Sequence, residues 1–406
     1  MQGQLFSTIA RYFVNANIAS TNSTKVTVQQ WLAIISNTKR LTPYIMQMII
    51  TTHINHKKNM KKFTLATLVA LVPLYAHAAD FNTISNFGDS LSDIGNKHMI
   101  TVDMSNKTSG KIGIRAPKPY SNGHFSNGPV WTEYLANFLT MPMPTRAHGK
   151  IESNVVLKNK DSKLMIYHYK SAALLGTNWS VGGAMSGMGD FIDIDATNGF
   201  TAYSGLDVLS NSGQQIKQRI ANKGKFNGNE LVTYMSGTNN LWFTLFGTLN
   251  QTGDKAASYA VTDIKSLINA GAKHILVANI PNFIHAPWFA GKQDATAKFI
   301  QLHNQALKTG LEKLAANHPN IDIFYFDTFA LYNQVINDVN NHGEYRDAKL
   351  DITITNVTNS AYNYTTGAVI AQPNHNLFWD GLHPTTAMHK IIAEHAADLI
   401  KTGEAL

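Results

Sequence analysis

The chain has 406 residues, 44% of them apolar, no cysteine and a formal net charge of +8. Without cysteine, disulfides, thiol nucleophiles and zinc–cysteine sites are excluded. The charge is concentrated: eight of the 34 Lys and Arg lie in residues 1–79, which hold no Asp or Glu, so residues 80–406 carry 26 basic and 26 acidic side chains. A nucleic-acid partner thereby loses its main support.

In chain order, the first predicted element is a leader. Met60-Lys61-Lys62 is basic, 63–75 is apolar, and Ala76-His77-Ala78 is a small-x-small site, the order of a secretory signal peptide cut after Ala78. The apolar run is shorter than the ~20 residues of a membrane span. A buried N-terminal helix is the alternative. Residues 60–78 therefore predict a secreted or periplasmic protein. Residues 1–59 make little sense ahead of a signal peptide and are expected to be an upstream extension foreign to the native chain. Residues 79–406 are expected to form a single domain that relies on its hydrophobic core.

Short apolar runs at 82–87, 178–181, 231–235, 274–279 and 321–326 read as buried strands. Helical patterns occur at 130–139, 256–270 and 295–316, and an amphipathic helix at 386–401 closes the chain. This alternation predicts an α/β fold with a parallel sheet covered on both faces. Ligands of such sheets bind beyond the carboxyl ends of the strands, where FGDS, SVGG, SGTNN and IPNF fall. Residues 97–128 and an Asn-rich stretch near 333–377 read as irregular insertions, of the kind that serve as lids or binding loops.

The chemistry-bearing candidates sit at those strand ends. FGDSLSDIGN at 87–96 holds Ser90 between Asp89 and Asp93, with Asn96 closing the motif. A serine becomes a nucleophile when a histidine oriented by a carboxylate takes its proton. WDGLHPT at 379–385 offers Asp380 and His383 three residues apart; alone, the pair reads equally as a helix cap and a surface histidine. Gly183 in NWSVGGA can present a bare backbone N–H and Asn239 in SGTNN an amide, both suited to a developing oxyanion, although a tight turn and a helix cap explain them as well.

Taken together, these segments resemble the GDSL lipases and esterases of the SGNH hydrolase superfamily. FGDSLSDIGN is similar to the first signature block, NWSVGGA to the second, GTNN to the third and DGLHPT to the fifth, in family order. GHFSNGPVWTEYLA at 123–136 and GAKHILVANIPN at 271–282 resemble its secreted branch. The resemblance implies Ser90 as nucleophile, His383 as base and Asp380 as its orienting acid. The backbone of Ser90 would join Gly183 and Asn239 in the oxyanion hole, and Asp89, Asp93 and Asn96 would brace the loop. It implies a three-layer α/β/α sandwich on a flavodoxin-like, five-stranded parallel sheet of order 2-1-3-4-5, with no metal or organic cofactor. Two departures stand out. Asn240 replaces the Asp common in the third block, and no cysteine pair ties the loop before the fifth.

The resemblance further implies an exported lysophospholipase or phospholipase A. Its partners would be a lipid or lysophospholipid substrate, cholesterol as an acyl acceptor and, transiently, a membrane surface. Met185, Met188, Trp242 and Phe243 are candidates for an acyl pocket, with core packing as the competing explanation. A carbohydrate or short-chain acetylesterase is the enzymatic alternative, and a catalytically silent lipid-binding protein the non-enzymatic one.

Overall fold

The computed structural model describes residues 81–406 except 108–109, 111–112, 148–150, 159–164, 172–175, 190–191, 196–199, 204–208 and 248. The leader and the upstream segment lie outside the described residues. Tyr75–Leu406 forms one compact unit.

Strand β1 (Thr83–Gly88) runs into the Ser90 turn and helix α1 (Asn96–Lys107). Helix α2 (Trp131–Phe138) precedes an inserted sheet of strands β2 (Ile151–Lys158), β3 (Met165–Ser171), β4 (Ile192–Asp195) and β5 (Phe200–Tyr203), in spatial order β2-β3-β5-β4. Helix α3 (Ser212–Lys223) leads back to β6 (Glu230–Met235), α4 (Thr238–Phe246), α5 (Gly253–Asn269), β7 (His274–Ala278), α6 (Gln293–Asn317) and β8 (Asp322–Phe326). The chain finishes through α7 (Thr328–His342), short strands β9 (Tyr345–Asp347), β10 (Ile352–Ile354), β11 (Asn356–Ser360) and β12 (Asn376–Phe378), and α8 (Thr386–Thr402).

The central sheet is parallel throughout, in the order β1-β6-β7-β8. Strands β1, β6 and β7 are buried along nearly their whole length because both faces are covered. Along β7, Leu276 and Ala278 join a core with Trp131 and Leu135 of α2 and Met388 and Ile391 of α8. Ile275 and Val277 point the other way, to Ile216 of α3, Ile264 and Leu267 of α5, and Leu307 and Leu311 of α6. This period-two division of one strand between two cores produces the three-layer α/β/α sandwich.

The expected strand at 178–181 is reduced to isolated parallel bridges of Asn178 to Asn86 and to Arg146. Three backbone bonds nonetheless hold it along the free edge of β1: Asn86 N to Thr177 O at 3.0 Å, Trp179 N to Asn86 O at 2.8 Å and Val181 N to Gly88 O at 3.1 Å. The order is thus 2-1-3-4-5 with a minimal second strand.

Both insertions are more regular than their composition suggests. Asp93 accepts the backbone N–H groups of Asn96 (2.6 Å) and Lys97 (3.0 Å), satisfying the first turn of α1 in a stretch without an apolar stripe. The stretch 333–377, expected to be irregular, continues α7 to His342 and carries β9–β11. Asp327 caps α7 by accepting from Ala330 N at 3.0 Å.

Candidate active site

The site gathers at the carboxyl ends of β1 and β6. Gly88 ends β1 at φ +149°, and a Cβ there would lie 2.0 Å from Met235 O, so only glycine lets the two strands stay paired through this turn. The side-chain amide of Gln215 on α3 grips the same residue: Gly88 N donates to its Oε1 at 3.0 Å and its Nε2 donates to Gly88 O at 2.9 Å.

Beyond the turn, Ser90, His383 and Asp380 form a continuous hydrogen-bonded chain. Ser90 Oγ lies 2.8 Å from His383 Nε2, and His383 Nδ1 lies 2.7 Å from Asp380 Oδ2. Ser90 and His383 are 7% and 6% exposed, within reach of a ligand, whereas Asp380 is fully buried. The spacing of three residues works because Asp380 Oδ1 also accepts the backbone N–H of Leu382 (2.9 Å) and His383 (2.8 Å), which folds the loop onto its own carboxylate. Burial alone would raise this carboxyl; the His383 charge and these hydrogen bonds hold it below the ordinary range. The cap of α8 is Thr385, which accepts from Met388 N, so Asp380 is not the helix cap.

Gly183 has φ +94° in the turn after the edge segment. Asn239 lies in the first turn of α4, and its Nδ2 donates to Ala184 O at 3.0 Å, fastening the two donor-bearing segments together. One hydrogen of that amide remains for a ligand. Asn240, at the departing position, accepts Ser186 N at 2.8 Å and donates to Gln251 Oε1 at 3.0 Å, so the amide braces the turn after Gly183.

Asp93 accepts four backbone N–H groups, from Gly95, Asn96, Lys97 and Gly182. Asn96 Nδ2 donates to the carbonyls of Asn178 (2.9 Å) and Ser180 (2.8 Å). Asp89 does less: its Oδ1 accepts Leu91 N at 3.0 Å and its buried Oδ2 has no hydrogen-bond partner. Burial pushes its carboxyl up to about 7.

The acyl-pocket candidates divide. Met185 and Met188 line a cavity of about 360 Å³ beside Asn240, Tyr259 and Asp263. Trp242 instead packs against Phe246, Trp288 and Phe289 in tilted and edge-on contacts, at centroid distances of 4.5, 5.3 and 5.9 Å. Phe243 sits half-buried on the same helix.

Three aromatic contacts were not singled out in the sequence. The rings of Trp288 and Phe125 lie 5.8 and 5.0 Å from that of His383, and Tyr120 donates its hydroxyl to Asp380 Oδ2 at 2.7 Å. Phe125 opens FSNGPVW, whose other members explain the block. Ser126 Oγ donates to Pro384 O, Asn127 Oδ1 accepts Thr386 N, and Trp131 Nε1 donates to Ser92 Oγ, clamping the histidine loop to the serine turn. Tyr120 and Trp288 lie in segments with no motif to mark them.

Residues 84–396 match the family model for GDSL-like lipase/acylhydrolase. Among curated proteins, the chain is similar to a thermolabile hemolysin of Vibrio parahaemolyticus, 27% identical over 327 residues, or 77% of this chain and 62% of that one. It is also similar to a phosphatidylcholine-sterol acyltransferase of Aeromonas hydrophila, 25% identical over 84% of this chain and 98% of the relative. A GDSL esterase/lipase of Arabidopsis thaliana is 23% identical, over 76% of this chain and 85% of the plant protein.

Proposed function

Because the chain belongs to the GDSL-like lipase/acylhydrolase family of ester hydrolases, we propose that it releases fatty acids from phospholipids or lysophospholipids through an acyl-enzyme on Ser90. The observation that carries this reading is the chain of short contacts from Ser90 through His383 to buried Asp380.

In this mechanism His383 Nε2 takes the Ser90 proton as Oγ bonds to the ester carbonyl carbon, and Asp380 stabilises the imidazolium that forms. The oxyanion is met by the N–H groups of Ser90 and Gly183 and by Asn239 Nδ2, donors of a kind worth about 10²–10³ in rate each. Collapse expels the alcohol, which leaves with the proton from His383. Water then repeats the sequence to free the fatty acid. An alcohol taking the place of water would give acyl transfer, and the name of the Aeromonas relative supports a sterol as acceptor.

A lipid rather than a small acetate ester is favoured by the apolar surroundings. Trp288 is 37% and Phe246 44% exposed on the cluster that touches His383. The leader at 60–78 supports export to the periplasm or beyond, with residues 79–406 as the mature domain. Among the described residues, no helix is long and apolar enough to cross a membrane.

The test is fatty-acid release from lysophosphatidylcholine beside cleavage of p-nitrophenyl acetate, by the 406-residue chain and its Ser90→Ala variant. Lysophospholipid hydrolysis that disappears in the variant is expected. Cleavage of the acetate alone would move the substrate to small or sugar acetates. Binding of lipid with no turnover of either ester would mark a silent binding protein.

A further inference from the structure

Asp380 Oδ2 serves two partners at once. His383 Nδ1 approaches it at 2.7 Å and the Tyr120 hydroxyl at 2.7 Å. Tyr120 comes from the segment between α1 and α2, 260 positions away in sequence. Its ring is fixed edge-on by Tyr362 (5.5 Å), Trp379 (6.1 Å) and Phe125 (6.3 Å), and the residue is buried. Facing a carboxylate, the phenol is the donor of this bond, and burial and the Asp380 charge push its ionisation well above the ordinary range, so it keeps that proton.

From this geometry we infer that Tyr120 is a positioning residue for the reaction: its hydroxyl holds the Asp380 carboxylate in the orientation that meets His383 and withdraws charge from the oxygen facing the imidazole. The inference rests on the reading of Ser90 and His383 as nucleophile and base. Two costs follow if the hydroxyl is removed. The carboxylate loses a charge-assisted hydrogen bond that fixes its plane. Oδ2 also becomes more negative toward Nδ1, which favours the protonated imidazole. Asp89 just after β1 and His389 on α8 also interact electrostatically with His383, but Asp89 accepts from Leu91 N and His389 from Trp131 N, and neither bonds to Asp380 Oδ2. Their influence is the same with and without the hydroxyl.

The experiment is steady-state kinetics of Tyr120→Phe on p-nitrophenyl acetate across pH 5–9, with thermal unfolding in parallel and Ser90→Ala as control. Phenylalanine keeps the ring contacts. Expected are a roughly tenfold lower kcat, the effect of losing one charge-assisted hydrogen bond, with KM within about twofold. The acid limb of kcat/KM should also move to higher pH, which a packing defect would not produce. An unchanged kcat with an unmoved acid limb would overturn the inference, and so would a kcat that falls with the melting temperature while the limb stays in place. Full activity in Ser90→Ala would instead overturn the underlying reading, whatever Tyr120→Phe does.

Discussion

Asp89 and Asp93 stand four positions apart on one turn, and their surroundings give them different roles. Asp93 is saturated by four backbone donors and ties together the serine turn, α1 and the Gly182 segment. Asp89 has one backbone donor and an orphaned oxygen. A buried carboxyl raised to about 7 keeps its proton in the folded state while the unfolded chain loses it near 3.8. The unfolded state then binds fewer protons, so this group's contribution to stability falls as pH rises from about 4 to 7. The loss is on the order of 4 kcal/mol once ionisation is complete. Asp89→Asn keeps the acceptor for Leu91 and removes the titration. Its melting temperature relative to the parent should rise between pH 5 and pH 8; a difference independent of pH would refute this account of Asp89. At the position of the usual Asp, Asn240 uses both ends of its amide, accepting from Ser186 N and donating to Gln251 Oε1, where a carboxylate could only accept.

At the scale of elements, the loop 379–383 is held from two sides. Trp288 N donates to Gly381 O at 2.9 Å, with the indole so close that a Cβ on Gly381 would lie 1.8 Å from its Cδ1. On the other side Tyr362 N donates to Trp379 O at 2.6 Å and the two rings stack at 5.4 Å. Strand β11 pairs in parallel with β12, and Ala361 N donates to Phe378 O at 3.0 Å. Hydrogen bonds and stacked rings thus also fasten Ala361 and Tyr362, in the stretch before the fifth block that no cysteine pair ties, to Phe378 and Trp379. Both flanks end in exposed apolar side chains, Phe246 and Trp288 on one and Tyr364, Val369 and Ile370 on the other. In the proposed reaction these ridges meet the lipid. Trp288→Ala should therefore reduce hydrolysis of lysophosphatidylcholine micelles several-fold more than cleavage of p-nitrophenyl acetate. Equal losses on both esters would mean that Trp288 acts only by supporting His383.

Across the whole molecule, what the sequence made legible was what burial on both faces writes into it. The apolar runs of β1, β6, β7 and β8 and the long amphipathic patterns of α5, α6 and α8 are local signals of a shared core, and their ends agree with the structure to within a few residues. The serine turn and the histidine loop were legible through their resemblance to the family's signature blocks, whose compact spacing fits the short-range hydrogen bonds from Asp93 to its neighbours and from Asp380 to His383. Elements that depend on distant partners were not. Helix α1 needs the Asp93 cap rather than an apolar stripe, and the minimal edge strand at Asn178 is fixed by β1. The inserted strands β2–β5 mix polar and apolar residues without a run to announce them. Tyr120 and Trp288 escaped for the same reason, because their meaning lies in side chains hundreds of positions or a whole strand away. The central claim, an acyl-enzyme on Ser90 acting on lipid esters, is tested most directly by covalent capture. The chain is treated with an alkyl fluorophosphonate, and residual fatty-acid release from lysophosphatidylcholine is followed beside peptide mass spectrometry. The account predicts one adduct per chain, on the peptide carrying Ser90, with activity lost in proportion. Hydrolysis that survives complete labelling of Ser90, or an adduct on another residue that alone abolishes it, would contradict the account.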